Sequence, residues 1–257
     1  MIKSTETLLN NITNNFNPWT NVYGLARSLM GLSLLLTLSI NDVETIFRPS
    51  SGQDQITNNS LFSLFSIVPH DYFYLNIVKY IFIVILILVV IGYRPRFTGV
   101  LHFYIAYSLN GAGITIDGGE QVNTVLSLLL IPITLTDGRK WHWGEVDKDI
   151  LLNKDIAKII TFVSYCAIRL QIAILYFHST VAKLGNKEWV DGTAVYYYMQ
   201  DTMLGLPHFI YSIFSPVFTS WLIVIPTWGT LFIQILLFSS LFINKKYWNK
   251  ILVFALL

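Results

Sequence analysis

Between Tyr80 and Gly92 the chain reads YIFIVILILVVIG, an almost unbroken run of Ile, Leu and Val that begins near Leu75 and ends at a basic turn. A helix of this length and apolarity has no face that water would tolerate. Crossing a bilayer takes about 20 predominantly apolar residues, so Leu75 to Gly92 is read as a membrane span. Similar segments occur at Val22 to Ile40, Phe97 to Ile116, Gln121 to Thr136, Ile159 to Ala182 and Trp221 to Ile243. Ile251 to Leu257 begins a further apolar run, so the polypeptide is expected to continue into a seventh span. The expected fold is all-α, a polytopic transmembrane bundle of about six to seven spans.

Composition supports that class. Charged residues make up 12% of the chain and hydrophobic residues 54%, against roughly 25% charged in a soluble domain. The net charge of +2 is small, and its cations sit between apolar segments rather than along one face, which excludes nucleic-acid binding. The lone cysteine, Cys166, allows no internal disulfide and is read as packing material inside a span. Residues 1–21 are polar and Asn-rich, with no signal-peptide core, so the first span is expected to stay in the membrane.

The shorter features are read against those spans. LFSLFSIV, Leu61 to Val68, is too short to cross and is expected to be interfacial or packed. DGGE, Asp117 to Glu120, lacks the Lys and Ser or Thr of a phosphate loop and reads as a hairpin turn. In WHW, Trp141 to Trp143, an aromatic belt at the membrane boundary accounts for His142. The five histidines show no metal-ligand spacing such as HExxH, and no nucleophile motif is present.

Orientation follows from Lys and Arg, which collect in short cytoplasmic loops. The turn at Arg94 and Arg96, the loop from Arg139 to Lys158 and the turn at Lys245, Lys246 and Lys250 all fall on one side. That side is expected to be cytoplasmic, together with the N-terminal segment 1–21. Residues 183–210 then form an extracellular loop that carries Lys183 and Lys187 against the rule.

Chemistry is expected where charge enters apolar helices. A charged side chain at mid-bilayer costs about 2.5 to 3.5 kcal/mol on insertion scales, so it faces the bundle and finds a partner. Arg27 lies close enough to a membrane edge to snorkel. Arg169 lies deeper, with Asn110, Gln171, Gln234, tyrosine hydroxyls or a lipid-phase ligand as possible partners. Arg169, Tyr176 and Lys183 are successively two turns apart and form one helical stripe, while Gln171 and His178 form another. Such stripes suit a lipid-accessible cavity. The bland alternative has Lys183 snorkelling, His178 capping carbonyls and Arg169 joining two helices.

The segment YFHSTVAKLGNKEWVDGTAVYYYM, Tyr176 to Met199, resembles, with one extra residue before Trp189, the Y-F-x-x-x-x-x-K-L-x-x-x-W-x-x-G-x-A pattern of the horizontally transferred transmembrane (HTTM) superfamily, which includes vitamin K-dependent γ-carboxylase. Tyr176, Phe177, Lys183, Leu184, Trp189, Gly192 and Ala194 carry the match. PWTNVYGLARSLMGLSLLLTL, Pro18 to Leu38, resembles more specifically the sporulation-delaying protein B (SdpB) branch, which accompanies antimicrobial peptide maturation in Gram-positive bacteria. The resemblance covers essentially the whole chain as a single HTTM-type domain, residues 1–257.

In the carboxylase the matching lysine is the base that deprotonates a reduced quinone, so the resemblance implies that role for Lys183. A lysine held away from water is more readily kept as the neutral amine that accepts a proton. The carboxylase's second functional group, a histidine near Val122 and Asn123, has no counterpart here. The implied site has Lys183, His178 and Tyr176 as catalytic groups and Arg169, Gln171 and Arg27 holding a cofactor. Trp189, Asp191 and Gly192 form its frame. The implied cofactor is a reduced quinone or another lipid-phase molecule. The implied partners are membrane lipid, a peptide toxin precursor and an SdpA-like protein, in a bacterial plasma membrane. Two readings remain: a γ-carboxylase-like membrane enzyme, or a non-enzymatic scaffold or export accessory holding the precursor. A transporter is disfavoured because no internal repeat or matched pair of broken helices is visible.

Overall fold

The computed structural model describes residues 13–14, 16–47, 62–69, 71–113, 118–145, 155–201, 205–239 and 242. Every regular element among them is helical, as expected. In order these are α1 (Asn21–Ile40), α2 (Val43–Phe47), α3 (Leu64–Ile67), α4 (Tyr72–Val90), α5 (Pro95–Ala112) and α6 (Gly118–Thr136). There follow α7 (Asp155–Leu184), α8 (Lys187–Val190), α9 (Ala194–Met199), α10 (His208–Phe218) and a 3₁₀ turn (Trp221–Ile223) leading into α11 (Val224–Ser239).

Four segments are long and apolar enough to cross a membrane: Asn21–Ile40, Tyr72–Val90, Asp155–Leu184 and Trp221–Ser239. The expected third and fourth spans are present as helices α5 and α6, of 18 and 19 residues, but their polar side chains keep them below that apolarity. The expected seventh run, Ile251 to Leu257, lies outside the described residues, as does the basic turn at Lys245 to Lys250.

Local chemistry sets the helix ends. Thr20 caps α1 by accepting from the Tyr23 N–H, and Asp71 caps α4 by accepting from the Phe73 N–H. Lys79, buried on α4, donates to the Asn41 carbonyl at 2.8 Å, which places a cation at the C-terminal end of α1. One expectation changes here: Gly118 to Glu120, read as part of a hairpin turn, form the first turn of α6. Asp117 lies outside the described residues.

Contacts divide the chain within α7 into two compact units, Met1–Ile168 and Arg169–Leu257. In the first, α1, α4 and α5 pack through Leu34, Leu38, Phe82, Leu86, Ile105 and Leu109. Phe65 of α3 is fully buried there, its ring 4.5 Å from Phe47 and 5.2 Å from Phe82, so the short LFSLFSIV segment is packed. The pair α5 and α6 makes the most extensive helix contact. A β-carbon at Gly99 would collide with Thr134, so the small residue lets the two backbones approach. The opposite side of α1 exposes Val22, Leu25, Leu29, Leu32, Leu36 and Ile40, a helical stripe suited to lipid. The first part of α7 joins this unit through bonds from Lys158 to the Thr13 carbonyl and from Ser164 to the Leu129 carbonyl. In the second unit, Trp189, Ala194 and Leu231 form a small core. There the Val195 N–H also reaches the buried Thr227 hydroxyl on α11, 3.4 Å away.

Candidate functional site

Polar groups concentrate in one centre in each unit. In the first, Arg27 on α1 is fully buried. Its Nη2 donates to Thr98 Oγ1 at 2.5 Å and its Nη1 lies 3.3 Å from His142 Nδ1. The guanidinium can only donate, so Nδ1 accepts, and the imidazole carries its proton on Nε2. That proton faces Ser28 Oγ at 3.3 Å, and Ser28 donates in turn to the Val90 carbonyl at 2.6 Å. Thr98 passes the chain on to the Tyr93 carbonyl at 2.8 Å. The network thus fixes one tautomer and joins α1, α4, α5 and the loop after α6.

The backbone holds His142 in place. The His142 N–H donates to the Gly92 carbonyl at 3.0 Å, and the Arg94 N–H donates to the Lys140 carbonyl at 2.8 Å. These bonds clamp the turn after α4 to the loop after α6, with Tyr93 facing Trp141 across an antiparallel bridge. Gly92 has φ +83°, and a β-carbon there would enter the imidazole ring. Only glycine meets both requirements. Burial, then the nearby Arg27 and Arg139 charges, push the His142 pKa down to about 4, with Asp137 opposing. Asp137 is itself buried and paired with Arg139 at 2.8 Å.

In the second unit Lys183 lies in the last turn of α7. Its Nζ donates to Ser179 Oγ at 2.6 Å, reaches Gln234 Oε1 at 3.4 Å, and stands 5.1 Å from the centre of the Trp189 ring. Thr180 also reaches Gln234, tying α7 to α11. Among the described residues no carboxylate bonds to Lys183. Its surroundings are two neutral oxygens and an indole face, which can hold an ammonium without quenching it in an ion pair.

The motif spacing has a physical basis. Gly192 adopts φ +80° and is packed so closely on Val224 that a β-carbon would lie 2.9 Å from a Val224 methyl. The reversal it permits brings buried Trp189 under Lys183 and starts α9 at buried Ala194. Asp191 is exposed and ends α8 through its own N–H, which donates to the Lys187 carbonyl at 2.8 Å. Tyr176 and Gln171 are half-buried, whereas His178 is exposed with its ring against Phe177. Five positions of α-helix separate His178 from Lys183, which puts them on different faces. The expected loop after Lys183 contains two short helices, α8 and α9, before α10 begins at His208.

Two proteins of Bacillus subtilis (strain 168) align with nearly the whole chain. Sporulation-delaying protein SdpB is 38% identical over 243 residues, covering 94% of this chain and 74% of that protein. The chain belongs to the SdpB family. The B. subtilis protein YitO is 52% identical over 240 residues, covering 93% of this chain and 77% of YitO. No family model matches the chain, and no solved structure matches it.

In this SdpB-family chain the motif residues Lys183, Trp189 and Gly192 come together in the second unit, whereas the partners of Arg27 are not apparent from the sequence. Arg27 does not snorkel; it is enclosed by Thr98 and His142. His142 is not a belt residue, since only its neighbours Trp141 and Trp143 are exposed. His142 lies in a turn closed by the Gly144 N–H on the Trp141 carbonyl, and its own N–H bond to the Gly92 carbonyl holds it against the buried Arg27, a long-range arrangement that the WHW triplet does not signal.

Proposed function

We propose that this chain acts at the membrane in maturing a secreted antimicrobial peptide toxin, a reading supported by its kinship with a protein named for delaying sporulation and by its apolar helices. Its sharper role is a quinone- or lipid-linked modifying reaction with Lys183 as the base. The supporting observation is the Lys183 amine itself, held by Ser179 and Gln234 over Trp189 without a bonded carboxylate among the described residues.

These groups suit a hydroxylated ring. Lys183, Ser179 and Gln234 offer hydrogen bonds, with the buried Trp189 ring under the amine. A reduced quinone supplies, when bound, an acidic hydroxyl. The neutral Lys183 amine takes that proton, and the resulting ammonium is held by the Ser179 and Gln234 oxygens. Tyr176 and Arg169 continue the same stripe along α7 and are assigned to orienting the bound molecule, with Gln171 and His178 on the neighbouring stripe. Arg27 is assigned to supporting the first unit. The setting is a Gram-positive plasma membrane, crossed several times with residues 1–21 inside, and the partners are the toxin precursor and an SdpA-like protein.

The deciding experiment replaces Lys183 with Ala, Gln and Arg, verifies membrane insertion and precursor binding, and measures mature secreted peptide. Loss in all three variants with binding intact is expected. Full maturation with Ala or Gln would leave the scaffold reading in its place.

A further inference from the structure

Where the turn before α5 meets the loop after α6, a cavity of about 210 Å³ is lined by Arg94, Arg96, Phe97, Asp137, Arg139 and Lys140. The single acid is already committed: Asp137 accepts from Arg139 Nε at 2.9 Å and Nη2 at 2.8 Å. Arg139 spends its remaining arm on the Gly144 carbonyl at 2.7 Å. Arg96 uses only Nε, on the Leu135 carbonyl at 2.9 Å, and keeps its two terminal nitrogens. Arg94 and Lys140 are exposed, and among the described residues neither side chain makes a hydrogen bond. Among the described residues, three cations without a paired acid therefore face one small cavity.

The backbone holds them there at a cost. The 2.8 Å bond from the Arg94 N–H to the Lys140 carbonyl sets two like charges side by side. Arg94 also takes φ +39°, and it is the non-glycine residue with positive φ among the described residues. Left-handed backbone disfavours a residue bearing a β-carbon. Clustered like charges add to that cost, and among the described residues no bond of the Arg94 or Lys140 side chain offsets it. The first turn of α5 contributes further partial positive charge. An anion in the cavity would offset all of these terms together. Phe97 on its wall is exposed, and Trp141 and Trp143 are exposed in the adjoining loop, an aromatic flank suited to the level of lipid headgroups.

We propose that this cavity binds the phosphate of an anionic glycerophospholipid headgroup, with acyl chains running past Phe97. Arg94, Lys140 and the free arm of Arg96 hold the phosphate, and the Arg139–Asp137 pair fixes the wall. The site rests on the chain lying in a membrane and is independent of any reaction at Lys183.

The test uses the full chain in neutral detergent, with short-chain phosphatidylglycerol, short-chain phosphatidylcholine and inorganic phosphate as probes, bound molecules being counted by native mass spectrometry. Each surface cation contributes about fivefold in affinity for anionic lipid, so an Arg94→Gly, Lys140→Gln double variant should lose about 25-fold for phosphatidylglycerol. It should bind phosphatidylcholine unchanged and melt no lower, because glycine accepts the Arg94 backbone. Lys140→Gln alone, at an exposed position, should lose about fivefold and serves if the double variant does not fold. Equal binding of the two lipids by the parent chain, or an undiminished preference in the variants, overturns the site. Inorganic phosphate competing at the lipid's own affinity assigns the cavity to a soluble phosphate and overturns the lipid.

Discussion

Arg27 and His142 lie 115 positions apart in sequence and meet at 3.3 Å in the buried part of the first unit, a donor-only cation against an imidazole nitrogen that must accept. Protonating that imidazole would turn its acceptor into a second donor facing Arg27 and add a like charge. Both effects favour the neutral ring, in line with its pKa being pushed down to about 4.

The first prediction is a loss of stability on acidification. An unfolded histidine titrates near about 6.5, whereas folded His142 resists protonation until about 4. Between those values the unfolded chain binds the extra proton, so stability rises with pH. The contribution is fully present above about pH 6.5 and is lost as pH falls towards 4. Melting temperatures in detergent should drop across that window, and His142→Asn should drop less steeply. Parallel curves for the two proteins would remove His142 from the effect.

Thr98 gives the second prediction. Its hydroxyl accepts from Arg27 at 2.5 Å and donates to the Tyr93 carbonyl. Thr98→Val preserves the shape but strands a charged donor, which should cost about 1.5 to 3 kcal/mol. Thr98→Ser should recover most of that loss. Denaturant titration of the detergent-solubilised chain distinguishes them, and a Val variant as stable as Ser would show that the bond is idle.

The helical class and the approximate spans were legible in the sequence because long apolar runs have few alternatives. The first helix was expected from Val22 to Ile40 and is found from Asn21 to Ile40. Helix α7 exceeds its expected range at the N-terminal end, where Asp155 suits the positive helix end and Lys158 finds the Thr13 carbonyl. The Lys183 cluster was legible because its residues are local: the bonded oxygen of Ser179 is one turn away and Trp189 lies six positions on. The Arg27 centre was not, since its partners Thr98 and His142 come from distant parts of the chain that only tertiary packing unites.

Gly92 provides the third prediction. Gly92→Ala must accept φ +83° and also displace the His142 ring. Left-handed backbone costs about 1 to 2 kcal/mol and overpacking about 1 to 3 kcal/mol, so a total of about 3 kcal/mol is expected. Gly118→Ala is the control, because nothing lies within 4 Å of its β-carbon. It should be neutral or slightly stabilising. Equal melting temperatures for the two variants would contradict the clamp between Gly92 and His142.

Trp189 separates packing from chemistry in the second unit. Its ring is buried against Ala194 and Leu231 and also carries Lys183 at 5.1 Å. Trp189→Leu keeps an apolar filler but removes the aromatic face, whereas Trp189→Phe keeps a weaker one. A cation over an aromatic ring contributes about 0.5 to 1 kcal/mol at partly exposed sites, so the face alone has only a modest effect on folding. If Trp189 only packs, peptide maturation should follow melting temperature through both variants. If its face positions Lys183, maturation should fall further in Leu than in Phe after matching for folded protein. Measuring secreted peptide against the amount of correctly inserted chain decides between them, and identical maturation per folded molecule would confine Trp189 to the core.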